Sequence, residues 1–327
     1  MLEIKNISVD FDRPILKNIS FRAKRGQIIG LVGKSGAGKS TLLNVISGHL
    51  SPKNGMLYLN GEALPNASTL LIPGFQEVKL VSQDYNLDPY HTVEENIREA
   101  AISLTEKHKV RRVEQLIKLL KLDTIRNVKA SETSGGEQQR LSIARAIALK
   151  PDVLLLDEPF SNLDAHLRAM LFKYILMLRE KEKLTIILVS HEGQDVLGLS
   201  DAIYFLNKGK LSPKKTPFNA YYQLKHLGNA MLLGIVNQTN INGQRIRFRP
   251  DEYKITPNGT LSLSYTHTVF IGSQYLNYFL DIAMGTIILS STTPLTKNLN
   301  ITIKHKYIRV NKDCLLYTSD AADDRVS

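Results

Sequence analysis

The stretch GKSGAGKS at 33–40 limits this chain more than any other part of it. It is a full G-x-x-x-x-G-K-[ST] loop, and its flanks decide how it is read. Before it runs QIIGLV (27–32), a compact apolar strand; from Lys39 runs KSTLLNVISG, long enough for a helix. Strand, loop and helix in that order require an α/β fold in which backbone N–H groups and a helix N-terminus converge on phosphate. Glycines 33, 36 and 38 permit the turn, Lys39 reaches the β- and γ-phosphates, and the Ser40 hydroxyl ligates Mg²⁺. Lys34, Ser35, Ala37 and Thr41 complete the cradle. A chance match in a glycine-rich turn would not explain the flanking strand and helix, so a nucleoside triphosphate is the expected ligand.

Residues 1–212 alternate strand-like runs with helix-length segments, the pattern of a mostly parallel sheet carrying helices. LEIKNISV (2–9), MLYLN (56–60), VLLLD (153–157) and TIILVS (185–190) read as strands. Helical spacing marks 93–125, about 135–149 and 165–182. Pro213, Pro217 and the lysines between them predict a linker over 213–232. From 233 to 313, short alternating runs such as RIRFR, LSLSY and NITIK, with NG at 242–243 and 258–259, predict a small all-β barrel. Hydrophobic residues at 43% are enough to give both parts a core.

Two further motifs carry chemistry. In VLLLDEP (153–159) four apolar residues bury a strand and deliver Asp157 and Glu158 at its C-terminal end, where α/β sheets place ligands. Asp157 fits a Mg²⁺ contact through water, and Glu158 is placed to polarise an attacking water. By itself such a pair fits a turn or a helix cap equally well. In SGGEQQR (134–140), Ser134 and Glu137 make a capping box, and Gly135 and Gly136 allow close backbone approach. That helix start is a second anion site, although an ordinary well-capped helix has the same spacing. One triphosphate scarcely needs two cradles in one chain; two copies facing head to tail use both.

In this order the motifs resemble those of the ATPase subunit of an ABC transporter, and the likeness runs through 1–212. The resemblance implies a P-loop ATPase domain with a helical subdomain, ATP and Mg²⁺ as ligands, and a homodimer. Each ATP would lie between one copy's residues 33–41 and the other's Ser134, Gly135, Gly136 and Glu137. Phe11, in VDFDRP, corresponds to the aromatic that stacks on adenine; alone it would read as core. Gln83, in VSQDYNL, corresponds to a glutamine that contacts Mg²⁺ and the attacking water near the coupling surface. Asp164, in SNLDA (161–165), matches the acidic member of a loop crossing the dimer interface. His191, after TIILVS, matches a histidine that hydrogen-bonds the γ-phosphate. Glu158, His191 and Gln83 thus form the implied catalytic set, and Ser40, Gln83 and Asp157 the metal set. Thr133 stands where the family usually has Leu, and Glu137 where it usually has Gln. Glu137 adds negative charge beside a phosphate site; it is expected to turn back to its own helix backbone and leave activity intact.

FRPDEYKI (248–255) resembles the R-P-E segment of the C-terminal TOBE/OB-like domain of importer ATPases, and VFIGSQYLNYFL (269–280) a strand of that domain. That subfamily serves polyamines, iron(III), sulfate, molybdate and maltose, and overall likeness leans to polyamine or iron(III) import. The resemblance implies integral membrane permease subunits and an extracytoplasmic substrate-binding protein as partners, with the chain peripheral on the cytoplasmic face of the membrane. A net charge of +11 also invites a soluble ABC-type ATPase acting on nucleic acid or ribosomes, and an exporter ATPase is a third reading. Basic runs such as KHKVRR (107–112) lack interleaved aromatics that would stack bases, so no nucleic-acid partner is expected. No run approaches the ~18 apolar residues of a membrane span, no signal peptide is visible, and a single cysteine excludes an internal disulfide framework. CLLYTSDAADDRVS (314–327) resembles a translated sequencing-library adapter, the alternative being a genuine polar tail, and is not expected to belong to the fold.

Overall fold

The computed structural model describes residues 1–161, 163–191 and 193–305. The adapter-like stretch with Cys314, residues 306–313 of the expected β-domain and Asn162 of SNLDA lie outside the described residues. The described residues make two compact units: Met1–Tyr221 with Gly228–Gly234, and Tyr222–Leu227 with residues 235–305.

The first unit begins with β1 (Leu2–Asp10), β2 (Pro14–Ala23), β3 (Ile28–Val32), α1 (Lys39–Ile46), β4 (Asn54–Leu59), β5 (Glu62–Ala63) and β6 (Val78–Val81). Helices α2 (Val93–Ala100), α3 (Glu106–Leu119) and α4 (Gly135–Ile147) follow. Then come β7 (Val153–Asp157), α5 (Ala165–Glu182), β8 (Thr185–Ser190), α6 (Gly193–Leu199), β9 (Ala202–Asn207) and β10 (Lys210–Leu211). Short helices α7 (Pro217–Tyr222) and α8 (Leu227–Met231) come last.

Six strands form a sheet in the order β10-β9-β3-β8-β7-β6, parallel from β9 to β6, with β10 antiparallel at its edge. Its central strands are apolar on both faces because both are covered. Ile28, Val32, Leu154, Leu156, Ile186 and Leu188 point into a core shared with α2–α6. Their neighbours Ile29, Leu31, Val153, Leu155, Ile187 and Val189 point into a second core shared with α1 and the antiparallel sheet β2-β1-β4-β5. The period of two therefore divides one sheet between two cores.

The helical stretch expected over 93–125 is two helices. A capping box of Thr92 and Glu95 starts α2, and Thr105, in extended backbone, starts α3 anew. Buried Arg112 ties α3 to the end of α4, donating from Nε to the Ala148 carbonyl (3.2 Å) and from Nη2 to that of Ile147 (2.7 Å). Such donors satisfy carbonyls that a helix C-terminus leaves unpaired. Over 213–232, where a linker was expected, Lys215 exchanges backbone hydrogen bonds with Ile203 (2.8 and 3.0 Å), and Ala220 is buried in the first core.

The second unit holds β11 (Asn237–Ile241), β12 (Gln244–Phe248), β13 (Tyr253–Ile255), β14 (Leu261–Phe270), β15 (Tyr275–Asp281), β16 (Gly285–Ser291) and β17 (Leu299–Ile303). The strands form a β11-β12 hairpin and a five-stranded antiparallel sheet, β13-β17-β14-β15-β16. Asn242 and Gly243, at φ 52° and 79°, close the hairpin in two residues. The second NG closes no hairpin, because β13 and β14 both pair with β17 and not with each other. The second unit is all-β, as expected, and its described strands form a half-barrel. β14 divides its pairing, with β17 over 261–263 and with β15 over 264–270 across a bulge.

Side-chain amides bridge this unit where ladders stop. Asn237 donates to the Ile288 carbonyl (2.7 Å) and accepts from its N–H (2.9 Å). Buried Asn277 donates to the Leu289 carbonyl (3.1 Å) and Ser291 Oγ (2.8 Å), and accepts from the Leu295 N–H (2.8 Å). Removing it leaves several of those groups unpaired. Asn277→Ala is expected to lower stability by about 1–3 kcal/mol, read as a fall in the urea midpoint of the second unit.

Candidate nucleotide site

The common direction of β3, β6, β7 and β8 brings four loops to one edge of the sheet, the carboxyl edge where open α/β folds hold ligands. From β3 comes the glycine-rich loop, in which Gly36 and Gly38 have φ of 74° and 100°, values that side chains beyond glycine rarely adopt. No side chain caps the first turn of α1. The Lys39 ammonium, 6% exposed, folds back over this loop and donates to the carbonyls of Gly33 (3.0 Å) and Lys34 (3.2 Å).

The other three loops meet at one carboxylate. Glu158 Oε2 accepts from Gln83 Nε2 (2.9 Å), after β6, and is 2.8 Å from His191 Nδ1, after β8. Its Oε1 lies 3.8 Å from Lys39 Nζ. Register explains the convergence, since Val81 pairs with Leu156 and Asp157 with Val189, so the strands end level. Glu158 itself has φ 50°, in the left-handed region, and is held there by its N–H bonding the Val189 carbonyl (2.9 Å). Tyr85 and Asn86, just beyond Gln83, are also left-handed (φ 58° and 49°). Strain of this kind persists only where surrounding contacts enforce it.

Asp157 sits one residue back, more deeply placed. Burial pushes its carboxyl above the ordinary 3.8; the Ser40 hydroxyl and Lys39 oppose the rise and Glu158 adds to it. A hydroxyl and a carboxylate side by side are hard oxygen donors, the kind that suit Mg²⁺.

Other residues singled out from the sequence lie elsewhere in the first unit. Ser134 caps α4, and Glu137 turns back to accept from both the Ser134 N–H and its Oγ–H, each at 2.8 Å. The backbone bond to Ser134 is the chief reason that the Glu137 carboxyl is held below its usual range. Gly135 is exposed with open space beside its Cα; a Cβ on Gly136 would come 3.0 Å from the Leu167 side chain, so one glycine leaves room for approach and the other for packing. Thr133 is buried, its hydroxyl donating to the Ala130 carbonyl (2.8 Å). Phe11, 61% exposed, stands on the turn between β1 and β2, and the side chains of Ile15 and Leu16 on β2 border Gly38. Asp164 caps α5 by accepting from the Leu167 N–H (2.8 Å).

Two residues were missed. Gln139 and Ser142, one turn apart on α4, are buried polar side chains (3% and 5% exposed). Gln139 donates to the Pro159 carbonyl, next to Glu158, and Ser142 to the Tyr85 carbonyl (2.8 Å), two residues after Gln83. Nothing local in the sequence set them apart, since Gln138 and Arg145 lie on the same side of the helix as Ser142.

Residues 16–161 match the sequence pattern of the family described as ABC transporter. The spermidine/putrescine import ATP-binding protein PotA of Thermotoga maritima is 35% identical over 257 residues, covering 78% of this chain and 68% of that protein. The protein of the same name from Legionella pneumophila (strain Philadelphia 1) is 35% identical over 271 residues, 82% and 72% of the two chains. The chain belongs to the ABC transporter family. Among solved structures, the post-hydrolysis dimer of the ATP-binding cassette MJ0796, bound to ADP and Pi, matches with 26% identity and a TM-score of 0.58 over 66% of this chain and 99% of that one. CbiO1 of Clostridium perfringens, part of the ABC transporter complex cbiONQ, shares the fold (23% identity, TM-score 0.60, 66% and 88% covered). As an ABC ATPase the chain binds and hydrolyses ATP, the ligand its glycine-rich loop called for.

Two outcomes follow for the family's site in this chain. Because burial raises Asp157, the wild type loses stability as pH climbs through the raised value, whereas below 3.8 the group is protonated folded and unfolded alike. Asp157→Asn should therefore melt higher than wild type at pH 7, with the gain vanishing as the pH falls below 3.8. Glu137→Gln retains an acceptor for both Ser134 donors, and titration of ATP should find its apparent affinity within about fivefold of wild type.

Proposed function

We propose that this chain is the ATP-hydrolysing subunit of a polyamine importer, acting as a head-to-tail homodimer beneath two integral membrane subunits. The meeting of Lys39, Gln83 and His191 on the Glu158 carboxylate carries the reading of the chemistry. A carboxylate so placed orients water toward a γ-phosphate held by Lys39 and the loop 33–41, and hydrolysis rests on that positioning. Ser40 and Asp157 would hold Mg²⁺, which when bound neutralises phosphate charge. Among the described residues no group of three His, Cys, Asp or Glu forms a metal cage. That suits Mg²⁺, which takes most of its ligands from phosphate and water.

His191 would hydrogen-bond the γ-phosphate, Gln83 the metal and attacking water, and Phe11 the adenine face. From the other copy, Ser134, Gly135 and Gly136 would close the site, with Glu137 behind them. ATP drives the cycle if it binds the closed dimer more tightly than the open one. The polyamine assignment rests on relatives that carry spermidine/putrescine import in their names. A substrate-binding protein outside the membrane would complete the system. No helix among the described residues is long and apolar enough to cross a membrane, and membrane subunits would hold the chain at the cytoplasmic face.

A tagged Glu158→Gln chain, purified from detergent-solubilised native membranes with Mg-ATP, tests this. The substitution should slow hydrolysis by about 10²–10⁴-fold and trap the closed complex. Mass spectrometry should then find integral membrane subunits, with a polyamine-binding protein in the same preparation. Recovery of ribosomal or DNA-bound partners alone would overturn the transporter assignment while leaving the ATPase standing.

A further inference from the structure

Helix α4 does more than present Ser134 at its start. Gln139 and Ser142, three residues apart, share one face of the helix. That stretch is otherwise packed into the core by Leu141, Ile143, Ala144 and Ile147. A buried polar side chain in such surroundings must find a partner or destabilise the fold. Each has found a backbone carbonyl in a different loop of the nucleotide site: Gln139 that of Pro159, Ser142 that of Tyr85. The two loops are joined again at their tips, where Gln83 donates to Glu158 at 2.9 Å.

Both anchored segments adjoin left-handed backbone, at Tyr85 and Asn86 in one loop and at Glu158 in the other. Such conformations need an external restraint, and a hydrogen bond from a rigid 13-residue helix supplies one. A shift of α4 by a fraction of an ångström would displace the Tyr85 and Pro159 carbonyls together, and with them Gln83 and Glu158.

We propose that Gln139 and Ser142 are positioning residues that tie the helix contacting one nucleotide to the loops acting on the other. Resting on the head-to-tail reading above, this makes α4 the lever by which the partner's ATP, seated at Ser134, sets Gln83 and Glu158 around this subunit's own ATP. Neither side chain touches substrate in this scheme. Their loss should lower turnover and spare nucleotide binding at the loop around Lys39.

The test compares wild type with Ser142→Ala, Ser142→Thr and Gln139→Met as full chains. Steady-state ATPase, binding of a fluorescent ATP analogue, thermal melting and mass under turnover are measured for each. Ser142→Ala and Gln139→Met should each reduce kcat about tenfold, with analogue affinity within about twofold of wild type. Ser142→Thr, which keeps the hydroxyl, should restore most of the rate. Should Gln139→Met fail to fold, the alanine and threonine pair at Ser142 decides the matter. A kcat unchanged in Ser142→Ala, or lost in step with analogue affinity and melting temperature, would overturn the proposal. Hydrolysis by a wild-type species of monomeric mass would instead overturn the head-to-tail reading, and the coupling with it.

Discussion

The carboxylate of Glu158 is the point on which the first unit closes. It receives Gln83 and His191 at hydrogen-bond distance and faces Lys39 at 3.8 Å, so three loops and the glycine-rich turn meet at one group. None of those contacts is local in sequence. They exist because parallel strands share a direction and here end level, so each contributes its C-terminal loop to one edge. The sheet does the positioning, and its burial on both faces between two apolar cores makes the positions hold.

That arrangement opposes stability locally. Glu158, Tyr85 and Asn86 are held in backbone conformations that cost of order 1 kcal/mol or more each. Burial raises Asp157, so ionising it within the fold carries a cost. What offsets these terms lies nearby: the Glu158 N–H on the Val189 carbonyl, the Ser40 hydroxyl on Asp157, and the Gln139 and Ser142 side chains on the two loops. Strain and desolvation gather where phosphate chemistry is expected, and the compensating contacts lie one layer behind.

The second unit solves a different problem with a different device. Its strands divide their pairing and leave backbone groups beyond the ladders, and asparagine amides take the place of missing strand partners. Asn237 serves both backbone groups of Ile288, and Asn277 gathers Leu289, Ser291 and Leu295. An amide offers donor and acceptor together, as a peptide group does. The apolar core beneath is small, built around Phe248, Phe279 and Ile287, so such polar bridges carry a large share of its order.

The phosphate loop, the Asp157–Glu158 pair and the alternation of strands with helices were legible in the chain itself. Each depends on neighbours in sequence: glycine spacing, an apolar run ending in carboxylates, a period of two or of 3.6. The capping role of Ser134 and Glu137 was legible for the same reason. The family resemblance grouped Gln83, Glu158 and His191, but showed neither their direct contacts at the Glu158 carboxylate with Lys39 opposite, nor the left-handed backbone of a glutamate that no local rule would place there. The second NG misled because a turn signal says where the chain bends and not which strand receives it. Gln139 and Ser142 read as unremarkable polar positions until the fold set a loop carbonyl opposite each. Sequence alone determined which groups could handle a triphosphate; strand direction and register, set by long-range pairing, decided which of them meet.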